Sequence, residues 1–160
     1  MDKQQYNDQA DNAVNFQYLY MLTDDFKRLI WKVRTNDGCA IIIKFTRRYN
    51  HNAHILYANQ GLAPKLYFHN NQDIYRFKII IMDYADGIPL SSPLVDKASL
   101  SIQNKIFQDV QNAISTLCTN NLIFSDLRLP NMLMVNNCKM LVDFEWCGED
   151  NNARYPFLIS

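Results

Sequence analysis

Ile123-Phe124-Ser125-Asp126-Leu127-Arg128-Leu129-Pro130-Asn131, followed by Val142-Asp143-Phe144-Glu145, is the part of this chain that decides how the rest is read. An aspartate closes a short apolar run, and an asparagine follows it five residues on, just past a proline. A second aspartate closes another apolar run twelve residues after that asparagine. Taken singly, Ser125-Asp126 and Pro130-Asn131 read as turn formers, because short polar side chains bond their own backbone. Asp143 is harder to dismiss: after Met140-Leu141-Val142, a carboxylate sits where burial disfavours it.

The flanking sequence sets these residues on loops between regular elements. Upstream, Ile102, Ile106, Val110, Ala113, Ile114 and Leu117 recur at helical spacing from Ser99, which predicts an amphipathic helix with that stripe in the core. Downstream, Met132 to Val135 and Met140 to Phe144 predict a hairpin around Asn136-Asn137. In the first half the period is two. Leu29, Trp31 and Val33 alternate with Arg28, Lys32 and Arg34, as in a half-buried antiparallel strand. Asn36-Asp37-Gly38 reads as a hairpin turn, with Asp-Gly supplying positive φ. Cys39 to Phe45 returns as a β-branched strand ending in Lys44. Residues 47–61 read as a short helix carrying Ala53, Leu56 and Tyr57, with Arg47 and Arg48 at its solvated start and Gly61 as C-cap. Lys65 to His69 and Tyr75 to Tyr84 predict two further strands around Asn70-Asn71-Gln72-Asp73, and Asp86-Gly87-Ile88-Pro89 a loop. Phe16 to Leu22 fits a strand or a short helix, and the Asp/Asn/Gln-rich residues 1–15 a loose tail.

The bulk numbers exclude several classes of function. With 160 residues, 48% hydrophobic and 12% aromatic, the chain buries a real core. Sixteen basic residues balance sixteen acidic ones, so no net field argues for nucleic acid or a membrane surface. Cys39, Cys118, Cys138 and Cys147 form no C-x-x-C pair and read as reduced thiols in a cytoplasmic protein. The polar start predicts no signal peptide, and no apolar run is long enough to span a bilayer.

Phosphoryl transfer from ATP needs positioned metal, positive charge on the phosphates and a group that orients the attacking hydroxyl. The chain offers each in order. Lys44 is suited to the α- and β-phosphates, Asp126 to the hydroxyl proton, and Asn131 and Asp143 to Mg²⁺, which favours sparse carboxylate sites completed by phosphate and water. Strand lysine, helix, hinge, long helix, D-x-x-x-x-N loop and D-F-x strand end together resemble the protein kinase-like superfamily over residues 26–148, most sharply over 122–146. Lys44-Phe45-Thr46-Arg47-Arg48-Tyr49 to His54, Gly61-Leu62-Ala63-Pro64-Lys65-Leu66, Asp143-Phe144-Glu145-Trp146 and Arg154-Tyr155-Pro156 look like a fungal group within it. The resemblance implies an α+β kinase-like fold. It has a loose tail at 1–15, a small antiparallel-sheet N-lobe with one helix at 16–85, and a truncated helical C-lobe at 86–160 carrying the catalytic loop. It also implies Met82 as gatekeeper and Asp83, Tyr84 and Ala85 as a hinge whose backbone holds adenine. ATP and Mg²⁺ follow as cofactors, with a protein hydroxyl as acceptor and neither nucleic acid nor membrane as partner.

The departures from the pattern are equally specific. Phe124 and Ser125 replace the usual histidine and arginine before the catalytic acid. No glycine-rich loop precedes Arg28. No acid lies between Lys44 and Gln72 to orient the lysine, which leaves Asn52 or His54 as the nearest substitutes. His54 otherwise reads as a packed helix residue and Trp146 as packing under the loop. Glu145 stands where a glycine is usual, and reads as a surface acid more readily than as a metal ligand. Only twelve residues follow Gly148, where a full kinase domain carries its substrate platform. Three functions therefore stay open: a phosphotransferase, impaired or not; a pseudokinase acting as a binding module; and a small-molecule kinase.

Overall fold

The computed structural model describes residues 4–8, 10–23, 29–70, 77–97, 99–136 and 138–149. Arg28, Asn71-Gln72-Asp73, the start of the strand expected from Tyr75, Asn137 and Arg154-Tyr155-Pro156 lie outside them. The chain divides into a sheet unit, Met1–Arg48 with Lys65–Tyr84, and a loop unit, Tyr49–Pro64 with Ala85–Ser160.

The sheet unit is one antiparallel sheet of six strands: β1 (Gln4–Asn7), β2 (Ala13–Met21), β3 (Leu29–Thr35), β4 (Ala40–Thr46), β5 (Leu66–His69) and β6 (Lys78–Asp83). Their order across the sheet is β1-β2-β3-β4-β6-β5. Alternation works as the sequence predicts. Val33, Ile41, Ile43 and Ile81 are buried on one face, with Tyr6, Phe16, Trp31, Phe45 and Phe68 packed against them. Tyr6 on one edge strand and Phe68 on the other have ring centroids 6.3 Å apart, so the sheet curls until its two edges meet over this core.

Several local expectations change. Residues 4–7 and 13–15 are paired strand rather than loose tail. The Asp/Asn-rich composition there builds a turn: the Asp8 carboxylate accepts the N–H groups of Ala10 and Asn12, both at 2.9 Å, and Asp11 takes a φ of 62°. Of the segment Phe16 to Leu22, residues 16–21 lie in β2 and are strand, not helix. In the β3–β4 turn only Gly38 has positive φ, at 90°. Its N–H bonds Thr35 O, and the Thr35 N–H bonds Cys39 O. Lys44 does not end its strand: it pairs with Ile30 and Ile80 inside β4, and β4 lies directly beside β6.

In the loop unit, α1 (His51–Asn59) starts later than expected because Asn50, not Arg47, caps it: the Asn50 side chain accepts the Ala53 N–H at 3.0 Å. Arg47 lies in the sheet unit, its guanidinium 5.9 Å from the Phe77 ring centroid. Gly61, φ 72°, ends α1 as expected, with Gly61 N–H on Ala58 O and Leu62 N–H on Tyr57 O. After β7 (Ile88–Pro89) and the single turn α2 (Pro93–Asp96), the long helix α3 runs Leu100–Thr119. Its stripe is buried at Ala113 and Leu117 and half-buried at Ile102, Ile106 and Val110, but Ile114 is exposed. The chain then forms β8 (Leu122–Phe124), β9 (Met132–Val135), β10 (Cys138–Leu141) and β11 (Cys147–Glu149). The β9–β10 hairpin carries β7 on its other side, and β8 pairs with β11.

Candidate functional site

Strand β8 delivers Asp126 into a loop that closes on itself. A single 3₁₀ turn, Leu129–Asn131, is entered through Pro130, which is pre-set for it. The N–H of Arg128 bonds Asp126 O, and that of Asn131 bonds Arg128 O, each at 2.9 Å. The Asn131 amide Nδ2 then donates to Asp126 O at 2.9 Å and to Asp126 Oδ2 at 2.8 Å. Both side chains are buried. The five-residue spacing thus brings acid and amide into direct contact. With Nδ2 committed twice, Oδ1 is the Asn131 atom suited to a hard cation.

Arg128 was not singled out by the sequence pattern. Its Nε lies 2.5 Å from Asp126 Oδ1, and its Nη2 donates to Asp126 Oδ2 at 2.9 Å. That forked pair raises the Arg128 pKa, the hydrogen bond to Asp126 first among its causes and the charge of Asp143 contributing after it. Three donors therefore occupy the Asp126 carboxylate, and a carboxylate has about four acceptor positions, so one remains for a further donor. The weak sequence signal was an arginine two residues beyond the acid inside a tight turn.

Asp143 is joined to the same loop through the backbone: Val142 N–H bonds Asn131 O at 2.9 Å, and Ser125 N–H bonds Trp146 O at 2.8 Å. Asp143 is left-handed, with φ 73° and ψ 75°, a conformation that is costly for a residue with a Cβ and that collects at functional positions. Its carboxylate accepts the Glu145 N–H at 3.4 Å. Glu145 is half-buried rather than a fully exposed acid.

The residue after Asp143 explains why the left-handed turn is held. Phe144 is fully buried in an aromatic cluster. The His54 ring stacks on it at 4.8 Å and 9°, and Phe124 meets it edge-on at 5.3 Å and 70°. Tyr57 and Tyr49 complete the ring set at 5.8 and 6.2 Å. Phe124 sits two residues before Asp126 and Phe144 one after Asp143, so a single apolar contact ties both acids' backbones together. The phenylalanine in place of the usual histidine is thereby accounted for by packing. His54 is the packed helix residue expected. Pro64 O can only accept, so His54 Nε2 carries the proton, 2.7 Å away, and Nδ1 accepts from the Tyr49 hydroxyl at 2.9 Å. Burial, and after it the charges of Asp143 and Glu145, hold the Tyr49 pKa well above its ordinary value, which keeps it a donor. Tyr49, His54 and Tyr57 were not legible as a set, since helical spacing alone does not say what a helix faces.

The residues expected from the sequence to face a nucleotide belong mainly to the sheet unit. Lys44 is 3% exposed, on the β4 face opposite the Val33–Ile81 core. Ile42 and Met82 share that face and lie opposite one another. Asp83 turns its side chain the other way and accepts the Tyr67 hydroxyl at 2.5 Å. The Tyr84 N–H is held by Ala40 O at 3.2 Å, and the Asp83 N–H by Lys65 O at 2.9 Å. Ala85 begins the next stretch of the loop unit. Among the described residues no group of three or more His, Cys, Asp or Glu is arranged to hold a metal.

No protein-family model matches the sequence, and no curated protein matches it. Among solved structures, the chain is similar to the kinase PK-1 of Cydia pomonella granulovirus, with a TM-score of 0.71 and 20% sequence identity over 84% of this chain. It spans about half the length of that kinase, 52%. At that identity the likeness establishes architecture: the chain has an α+β, protein kinase-like fold.

Proposed function

We propose that this protein is an ATP-dependent, kinase-like phosphotransferase. Asp126 orients the acceptor hydroxyl, Asn131 and Asp143 hold Mg²⁺, Lys44 contacts the phosphates, and the backbone around Met82, Asp83, Tyr84 and Ala85 receives the base. The observation that carries this reading is the Asp126–Asn131 contact, joined through Val142 and Phe144 to a left-handed Asp143. A loop serving only as a turn has no use for a buried acid whose amide partner keeps an oxygen in reserve. Asn131 and Asp143 would hold a magnesium ion, which would offset the charge of the phosphates. The acceptor is a hydroxyl, on a protein or on a small molecule, and a place in a fungal kinase-like group is part of the proposal, resting on the sequence of Lys44 to His54, Gly61 to Leu66, Asp143 to Trp146 and Arg154 to Pro156. Among the described residues no helix is long and apolar enough to cross a membrane.

A second reading, a pseudokinase that binds nucleotide or a partner without turnover, is favoured by the forked Arg128 pair on Asp126 and by the absence of glycine between Leu22 and Arg28. Thermal-shift titration with ATP, with and without Mg²⁺, separates the readings when combined with phosphoryl-transfer assays. Phosphotransfer predicts a Mg²⁺-dependent stabilisation, RT ln(1 + [L]/Kd), and turnover, both lost in Asp143→Ala. Stabilisation without turnover that persists in Asp126→Asn identifies the binding module. No stabilisation under any condition removes nucleotide from the account.

A further inference from the structure

Lys32 lies on the same sheet face as Lys44, one row closer to the hinge. It pairs across the strands with Ile42, which pairs with Met82; Lys44 pairs with Ile30 and Ile80. Two residues along a strand advance about 6.6 Å. If phosphates lie at Lys44, a base reaching toward Met82 and Tyr84 lies under the row Lys32–Ile42–Met82. Flat heterocycles are held there by apolar faces. Ile42 and Met82 supply such faces, and Lys32 brings an ammonium to the same row.

The position of that ammonium is specific. Lys32 Nζ is 3.5 Å from the centroid of the Tyr84 ring and 5.7 Å from that of Tyr20. Tyr84 has the facing of Met82, two residues earlier, and its N–H bond to Ala40 O fixes where its ring starts. Lys32 is on β3 and Tyr84 follows β6, with β4 between them. The lysine stem and the tyrosine ring must therefore bridge β4 from its two sides, and neighbouring strands are about 4.8 Å apart. The bridge crosses the strip of face that a base needs.

We infer that Lys32 and Tyr84 form a latch across the base end of the Lys44 face, and that the latch weakens purine-nucleotide binding. The inference rests on the nucleotide-facing role given above to Lys44. A base enters once the ammonium leaves the Tyr84 ring, and the cation–π contact is what entry forfeits. Contacts of this kind at partly exposed sites correspond to about two- to fivefold in an equilibrium constant.

The test is calorimetric titration of Mg-ATP into the full chain and its variants, each checked for an unchanged melting transition. Lys32→Met keeps the apolar stem and removes the charge, and is expected to tighten Mg-ATP binding by about two- to fivefold. Lys32→Arg keeps a cation able to lie on the ring and is expected to leave the affinity at the wild-type value. Unchanged or weaker binding in Lys32→Met overturns the latch; a loss of binding there would make Lys32 a ligand-contacting cation instead. Lys44→Met separates failure of the latch from failure of the nucleotide-facing role of Lys44. If it weakens Mg-ATP while Lys32→Met changes nothing, the latch alone fails. If wild type binds and Lys44→Met binds equally well, or if nothing binds, the nucleotide-facing role fails and the latch fails with it.

Discussion

Lys44 and Asp126 are almost equally buried, 3% and 4% exposed, yet they are held in different ways. Lys44 sits in mid-strand between two antiparallel neighbours, and its place follows from register. A register shared by many ladder bonds and an alternating apolar face is strongly specified, because slipping one residue would invert every side chain. Asp126 has no such ladder. It depends on one amide, one guanidinium and one aromatic contact through Phe124, each from a single side chain. The sheet unit therefore positions its residues redundantly, and the loop unit positions its residues through individual groups. Single substitutions at matched burial should disturb the loop unit more.

Phe144→Ala gives the largest contrast. It empties a fully buried aromatic position, which typically costs ~3–5 kcal/mol, and it releases the left-handed turn at Asp143. Ile43→Val, at 2% exposure in the sheet core, should cost only ~0.5–1.5 kcal/mol. Chemical denaturation of both variants measures the two losses, and a Phe144→Ala loss no larger than that of Ile43→Val would mean that the whole ring contributes no more than one methyl group does in the sheet core. Gly87→Ala comes next. A Cβ there would lie 2.6 Å from Val135 Cγ2 and 2.9 Å from Met134 O, against a strand backbone that cannot step aside. About 1–3 kcal/mol of destabilisation is expected, visible as a lowered melting transition. Tyr57→Phe is smaller. It removes the buried 2.5 Å bond from the Tyr57 hydroxyl to Ala113 O, which ties α1 to α3. A loss of about 1 kcal/mol is expected, and the same change at Tyr67, where the hydroxyl meets Asp83, is the matched control in the sheet unit.

The same contrast governs what could be read from sequence. Strand alternation at Leu29–Val33 and the β-branched run at Ile41–Ile43 are local signals, and they placed the two central strands β3 and β4. The Asp126–Asn131 contact was legible because five residues of chain through a proline leave little freedom. Register around Lys44 was harder: a lysine after three isoleucines looks like the end of a strand, and only pairing with Ile80 shows that the strand continues. The aromatic cluster was not legible at all. His54, Phe124 and Phe144 are distant in sequence, and nothing local in α1 says that its histidine will stack on Phe144. Composition misled at the N-terminus, where Asp8 uses its carboxylate to make the turn that lets Tyr6 reach the core.

Lys139 supplies the finest test of how far one group can matter in the loop unit. It is 6% exposed on β10 and donates its ammonium to the carbonyl of Ile106 on α3, beside a small cavity lined by Leu62, Val110, Ala113, Met132 and Leu141. Burial pushes its pKa down to about 8, with Asp109 acting in the opposite direction. An unfolded lysine titrates near ~10.4. Below about pH 8 both states carry the proton, and the folded state bears the full cost of a buried charge. Between about pH 8 and ~10.4 the unfolded chain binds more protons, so stability rises with pH across that window. Lys139→Met has no such group. It should be the more stable form near neutral pH, and its advantage should shrink as the wild-type lysine becomes neutral. Tyrosines and cysteines also titrate at high pH, but they are common to both proteins, so the difference between the two denaturation curves isolates Lys139. A difference that stays constant from about pH 7 to about pH 10 would show that this ammonium is solvated in the folded chain, and that the loop unit can re-route even a buried cation.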